Sequence, residues 1–136
     1  MKYITGIYAL QFDLLPDMGC DWHSTTLDWS KTKWGETDNN IFGTYGIIKS
    51  YSSYLNKGCF VANPIRVALD EFINNSFGYL SGSLRKDFIL NDKYNLEFFN
   101  KVIKLKDLPH WKEIDKFMEK EYMLGWLNYK ESKNVQ

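Results

Sequence analysis

The chain has 136 residues, a length that fits one folded domain and leaves no room for two ordinary ones. Seventeen basic side chains balance seventeen acidic ones, so the formal net charge is zero and a general nucleic-acid binder is disfavoured. Apolar content of 44% is ordinary, whereas 17% Phe, Trp and Tyr is high and must be packed inside or used at an interface. The charge is also even along the chain: 5 basic against 6 acidic residues up to Ala62, then 12 against 11.

Tyr3–Phe12 mixes β-branched and aromatic residues with a rough alternation and reads as a strand, closed by Leu15-Pro16-Asp17 turn chemistry. It is a poor signal-peptide core, and no later run approaches the ~20 apolar residues of a membrane span. With only two cysteines, Cys20 and Cys59, the chain reads as a cytoplasmic protein with reduced thiols. Residues 19–34 concentrate Cys20, Asp21, Trp22, His23, Asp28, Trp29 and Trp34. A polar break precedes Ile41–Ile48, which reads as a second strand whose glycines permit a bulge. Residues 50–58 read as a loop, and Cys59–Ala62 as a short buried strand.

Beyond Ala62 the chain becomes helical. Asn63-Pro64 is a helix start, with a capping side chain followed by proline at the first helical position. Ile65, Ala68, Leu69 and Phe72 follow at helical spacing, and Asn74-Asn75 with Gly78 form the stop. Leu84–Leu90 fits a strand or a helical turn. Asn95 is placed to cap a second helix through about Leu105, with Leu96, Phe99 and Val102 or Ile103 inward. Pro109 opens a third, with Trp111, Ile114, Phe117, Met118, Tyr122 and Trp126 as its apolar stripe and a weak point at Gly125. Residues 130–136 read as a polar tail. Strands first and helices after predict one α+β domain, N-terminal antiparallel strands packed against about three C-terminal helices.

Several constellations can carry function. Cys20, His23, Cys59 and His110 are the only thiols and imidazoles, and together would make a four-donor metal set, although their spacing matches no zinc module. Asp21, His23 and Asp28 can form an acid–base set beside Ser24 or Cys20 as nucleophile, but no nucleophile elbow, phosphate-binding loop or metalloprotease helix accompanies them. Adjacent Asp and His more often settle local backbone groups. Trp22, Trp29 and Trp34 can anchor a protein partner or, with Lys31 and Lys33, stack the bases of a single strand. Arg66, Arg85 and Lys86 are the basic residues best placed for a phosphate or an acidic partner. No cofactor motif is present.

Four stretches together resemble a known family: Tyr3–Leu10, Asp21-Trp22-His23 through Leu27-Asp28-Trp29, Phe42–Ile47, and Asp107–Trp111 through Phe117–Tyr122. They are similar to small bacterial proteins found beside nucleotidyltransferase-type toxins of abortive-infection systems. The resemblance runs from Tyr3 to about Tyr129. It implies an antitoxin or accessory partner in a toxin–antitoxin or bacterial defence system, and carries over no functional residue.

Overall fold

The structure, a computed structural model, describes residues 1–22 and 26–135. Strand β1 (Lys2–Ile4) is followed by a single helical turn, α1 (Gly6–Ala9). Strands β2 (Trp34–Glu36), β3 (Ile47–Ser52) and β4 (Lys57–Ala62) complete a four-stranded sheet in the order β2-β1-β4-β3. Helices α2 (Pro64–Ile73), α3 (Asn95–Val102), α4 (Trp111–Tyr122) and α5 (Leu124–Ser132) follow. The class is α+β as expected, but the sheet is mixed. β1 runs antiparallel to β2 and parallel to β4 (Ile4 opposite Val61), while β3 and β4 form an antiparallel hairpin. One cluster of buried side chains joins residues of the sheet to residues of α2, α3, α4 and α5.

The predicted first strand is cut to three residues by Gly6, whose φ of +66° turns the chain where Thr5 N–H donates to Lys33 O at 3.0 Å. The apolar residues that follow serve a helical turn instead, which buries Ala9 and Leu10. The second predicted strand is also displaced. Residues 41–46 form turns, with Gly43 and Gly46 at φ +51° and +72°, and the ladder begins only at Ile47. It runs on through the segment read as a loop, because residues 53–56 close a tight hairpin with Asn56 at φ +52°.

Asn63 caps α2 as its position suggests, its Oδ1 accepting from Arg66 N–H at 2.9 Å. Nine consecutive residues, Pro64 to Phe72, are buried, and these include Arg66, Asp70 and Glu71. Arg66 accordingly is no surface contact. Its Nε donates to Asp70 at 2.9 Å, Nη1 to the carbonyls of Gly43 (2.8 Å) and Tyr45 (2.7 Å), and Nη2 to Tyr3 Oη (3.0 Å). The other Asp70 oxygen accepts from Tyr3 (2.8 Å) and Thr5 (2.7 Å).

Leu84–Phe88 resolves as a π-helical turn, tied to the front of the chain by Gly19 N–H donating to Phe88 O at 2.9 Å. A Cβ on Gly19 would lie 1.7 Å from Asp87 O, so only glycine fits there. Asn91, rather than Asn95, caps the entry to α3, and Leu96 faces out at 63% exposure while Phe98, Phe99 and Val102 are buried. The third predicted helix divides at Met123, whose φ of +50° breaks it into α4 and α5. Gly125 lies inside α5, and α5 runs to Ser132 through the predicted tail. Aromatic excess is spent mainly inside: Phe72, Phe77 and Phe117 meet, and the Phe72–Phe98 contact joins them to Phe98, Phe99, Tyr122, Trp126 and Tyr129.

Removing either half of the buried pair strands the other in a low-dielectric interior. Asp70→Ala and Arg66→Ala are each expected to lower unfolding free energy by about 3–5 kcal/mol in urea titrations. Lys93→Ala, at the exposed pair with Asp17, should leave the midpoint unchanged.

Candidate functional site

The front segment of the chain and the β3–β4 hairpin face one another across a cavity of about 240 Å³. Gln11, Phe12, Asp13 and Asp21 line it from the front segment, and residues 50–54 from the hairpin. Asp21 has a backbone φ of +58°, a left-handed conformation that Asp tolerates better than most residues. Gln11 is 6% exposed; its Nε2 donates to Ile7 O at 2.7 Å, and its Oε1 is buried without a hydrogen-bond partner. The amide orientation follows from that bond, since a carbonyl needs a donor opposite it. Neither Asp13 nor Asp21 forms an ion pair with a described residue.

Of the acid–base set, His23 and the neighbouring Ser24 lie outside the described residues. Asp28 does not line the cavity; its carboxylate accepts from Ser30 N–H (3.1 Å) and Ser30 Oγ (2.6 Å), which hold its pKa below the usual range. It is spent on local backbone, capping the turn Trp29–Lys31. Cys20 is a poor nucleophile, because burial and then the charges of Asp21 and Asp13 raise its thiol pKa. Both cysteines are free.

Of the metal set, His23 lies outside the described residues; among the described residues no group of three or more His, Cys, Asp or Glu is placed to hold an ion. Cys59 is buried in β4, and His110 Nε2 lies 2.7 Å from Phe72 O, a contact it makes as donor.

The tryptophans have separate fates. Trp22 packs edge-on against Phe88 and tilted against Tyr79, at 5.1 and 5.6 Å between ring centres. Trp29 lies flat on Tyr54 at 4.4 Å, with Tyr8 and Phe12 edge-on to it, so little of its ring faces are left for a base. Trp34 is 41% exposed, with Lys57 Nζ 5.5 Å above the ring. Lys33, read with Lys31 as basic support for a stacked single strand, pairs with buried Glu71 at 2.6 Å. Arg85 lies over Tyr122 at 5.3 Å and 3.6 Å from Asp92, while Lys86 is exposed.

A second opening of about 130 Å³ lies over Tyr3, Thr5 and Asp70, beside Lys33 and Trp34. Its polar groups are already matched with one another, and burial first, then the Asp70 charge, keep the Tyr3 hydroxyl protonated. Sequence reading missed this network; an Arg and an Asp four residues apart in a largely apolar helix, Arg66 and Asp70, was its visible signal. It missed a surface as well. Met123, Leu124 and Leu127 stand 65%, 70% and 37% exposed at the start of α5, beside an open groove along Lys130 and Val135. No described helix is long and apolar enough to cross a membrane.

No protein-family model, curated protein sequence or solved structure matches this chain.

Cys20 should react slowly with iodoacetamide near neutral pH, more slowly than a small free thiol, since less of it is thiolate. Asp21→Asn removes one negative charge beside it while keeping a residue suited to φ +58°. That variant should be labelled roughly two- to fivefold faster, followed by mass spectrometry.

Proposed function

We propose that this chain is a non-enzymatic partner protein that docks another protein, through the outer face of α5. The carrying observation is that α5 has apolar residues on both sides. Trp126 and Tyr129 are buried in the core, while Leu124 and Leu127 project outward. The start of α5 is therefore apolar on two sides, and here one of them lacks its cover. Taken with the resemblance to proteins encoded beside nucleotidyltransferase-type toxins, this favours such a toxin as the protein bound and an antitoxin or accessory role in bacterial defence.

The reading of a small enzyme on Asp21, His23 and Asp28 draws less support, because Asp28 is engaged by Ser30 and the Cys20 thiol is held protonated. Single-strand binding draws less too, with Trp29 stacked and Lys33 paired.

Burying Leu124 and Leu127 should contribute roughly 2–4 kcal/mol to a complex. Copurification with a co-expressed nucleotidyltransferase-type toxin is the first measurement, and Leu124→Glu/Leu127→Glu should weaken the complex roughly 30-fold or more. Circular dichroism should be unchanged, and the single variant Leu124→Glu, at a position 70% exposed, should weaken the complex without shifting the thermal melt. Absence of any complex, or one indifferent to the double variant, refutes the reading. Sedimentation showing a dimer of this chain that the same variant dissociates would also refute it, by assigning the face to a second copy.

A further inference from the structure

We infer that two copies of this chain exchange α5, each straightening at Met123 so that its last helix packs on the other's core. The junction between α4 and α5 carries this, independently of the docking role assigned to the outer face of α5. A single residue, Met123, separates Tyr122 at the end of α4 from Leu124 at the start of α5. Its φ of +50° and ψ of −125° belong to a II′-type turn position that glycine normally fills. The other described non-glycine residues at positive φ are Asp21, Asn39, Asn56, Asn75 and Asn134, side-chain types that tolerate it. Methionine is the exception. Gly125 stands close by inside α5 without a positive φ, so the turn falls on a residue poorly suited to it.

Local preference runs instead toward one continuous helix. The stripe Ile114, Phe117, Met118, Tyr122 and Trp126 keeps its helical steps across the junction, as a single helix from Trp111 to Ser132 requires. Main-chain bonding agrees. Met123 N–H donates to Glu119 O at 2.8 Å, and Leu127 N–H donates to Met123 O at 3.2 Å, so helical bonds reach the junction from both sides. The first N–H groups of α5, those of Leu124, Gly125 and Trp126, lack intrahelical partners, and Met123 offers them no side-chain cap. Straightening aims them at the carbonyls of Lys120, Glu121 and Tyr122 and returns Met123 to an ordinary helical conformation. The fused helix, roughly 33 Å long, carries α5 away from its own core.

Opening alone is costly, because it uncovers Trp126, which is fully buried, and Tyr129. A second copy in the same open state offers an identical site. Trp126 Nε1 donating to Asp115 at 2.8 Å, Lys130 pairing with Asp115 at 2.8 Å and Tyr129 donating to Asn100 at 2.6 Å are then all made between copies. The two forms differ at the junction and in the entropy of association, which concentration offsets. A short, strained hinge is the feature that favours such exchange. Because α5 keeps the same inner face against a core in both forms, exchange does not consume its outer face.

The test mixes isotopically light and heavy copies of the whole chain at high concentration in mild urea, then returns them to buffer. Size-exclusion chromatography with light scattering should show a dimer that dissociates slowly, since α5 must reopen to leave. Carbodiimide joins an amine to a carboxylate at ion-pair distance, and so links Lys130 to Asp115. Mass spectrometry of the dimer should find that link between light and heavy chains. Met123→Gly accepts the turn without strain and disfavours a straight helix, and should lower the dimer association constant roughly tenfold or more. Met123→Ala keeps both the strain and the helical preference and should retain the dimer. Met123 is 65% exposed, so neither variant opens a cavity, and circular dichroism checks that both fold. A chain that stays monomeric under these conditions overturns the proposal. So does a dimer without light–heavy Lys130–Asp115 links, or one as strong in Met123→Gly as in the wild type; these outcomes leave the docking reading untouched. A dimer dissociated by Leu124→Glu/Leu127→Glu but not by Met123→Gly is a face-to-face pair, and overturns both.

Discussion

Arg66 is a charged side chain with no solvent exposure, and much of the molecule is arranged to make that tolerable. A guanidinium taken out of water is stable only when its charge is matched and its donors are occupied. Asp70 supplies the charge one helical turn away, while the carbonyls of Gly43 and Tyr45 occupy Nη1 and Tyr3 occupies Nη2. The plane also lies over the Tyr3 ring at 4.9 Å. One side chain thereby fastens β1, the turns of residues 41–46 and α2 to each other. Local sequence demands follow from it. Gly46 leaves room for Arg66 Cβ, which a side chain there would meet at 2.9 Å, and Gly35 leaves room for the Tyr3 ring. Because those turns feed directly into β3, the same fastening sets where the hairpin begins and hence where the far wall of the acidic cavity stands.

Elements whose boundaries rest on local chemistry were legible in the sequence. Asn63-Pro64 marks the start of α2, and the stripe Ile114, Phe117, Met118, Tyr122 identifies α4, because capping and helical periodicity act within a few residues. Where tertiary partners decide, reading failed. Ile41–Ile48 has strand-like composition, but the carbonyls of Gly43 and Tyr45 are satisfied by Arg66 from another element, and the ladder begins only at Ile47. Tyr3–Phe12 alternates well enough for a strand, yet Gly6 at positive φ diverts it after Ile4. Of the cavity, Asp21 was visible as part of a dense cluster. Gln11 and Asp13 were not, since their meeting with residues 50–54 depends on chain separation that periodicity does not report. The tryptophans drew attention by their density, whereas two of the three are largely consumed by packing.

The break at Met123 deserves a physical account, because a non-glycine residue at φ +50°, ψ −125° costs on the order of 1–3 kcal/mol. That strain is offset by what α5 gains on the far side. Trp126 is fully buried and its Nε1 donates to Asp115 at 2.8 Å, Lys130 pairs with the same carboxylate, and Tyr129 donates to Asn100 at 2.6 Å. Together these bonds fix the rotation of α5 about its own axis against α4 and α3. A helix so held has no freedom to turn its leucines inward. Leu124 and Leu127 are exposed because the opposite face has stronger claims on the core, not because the helix is loose. An apolar surface presented on a braced helix loses little conformational entropy when it is covered, so less of the burial free energy is lost to ordering on association.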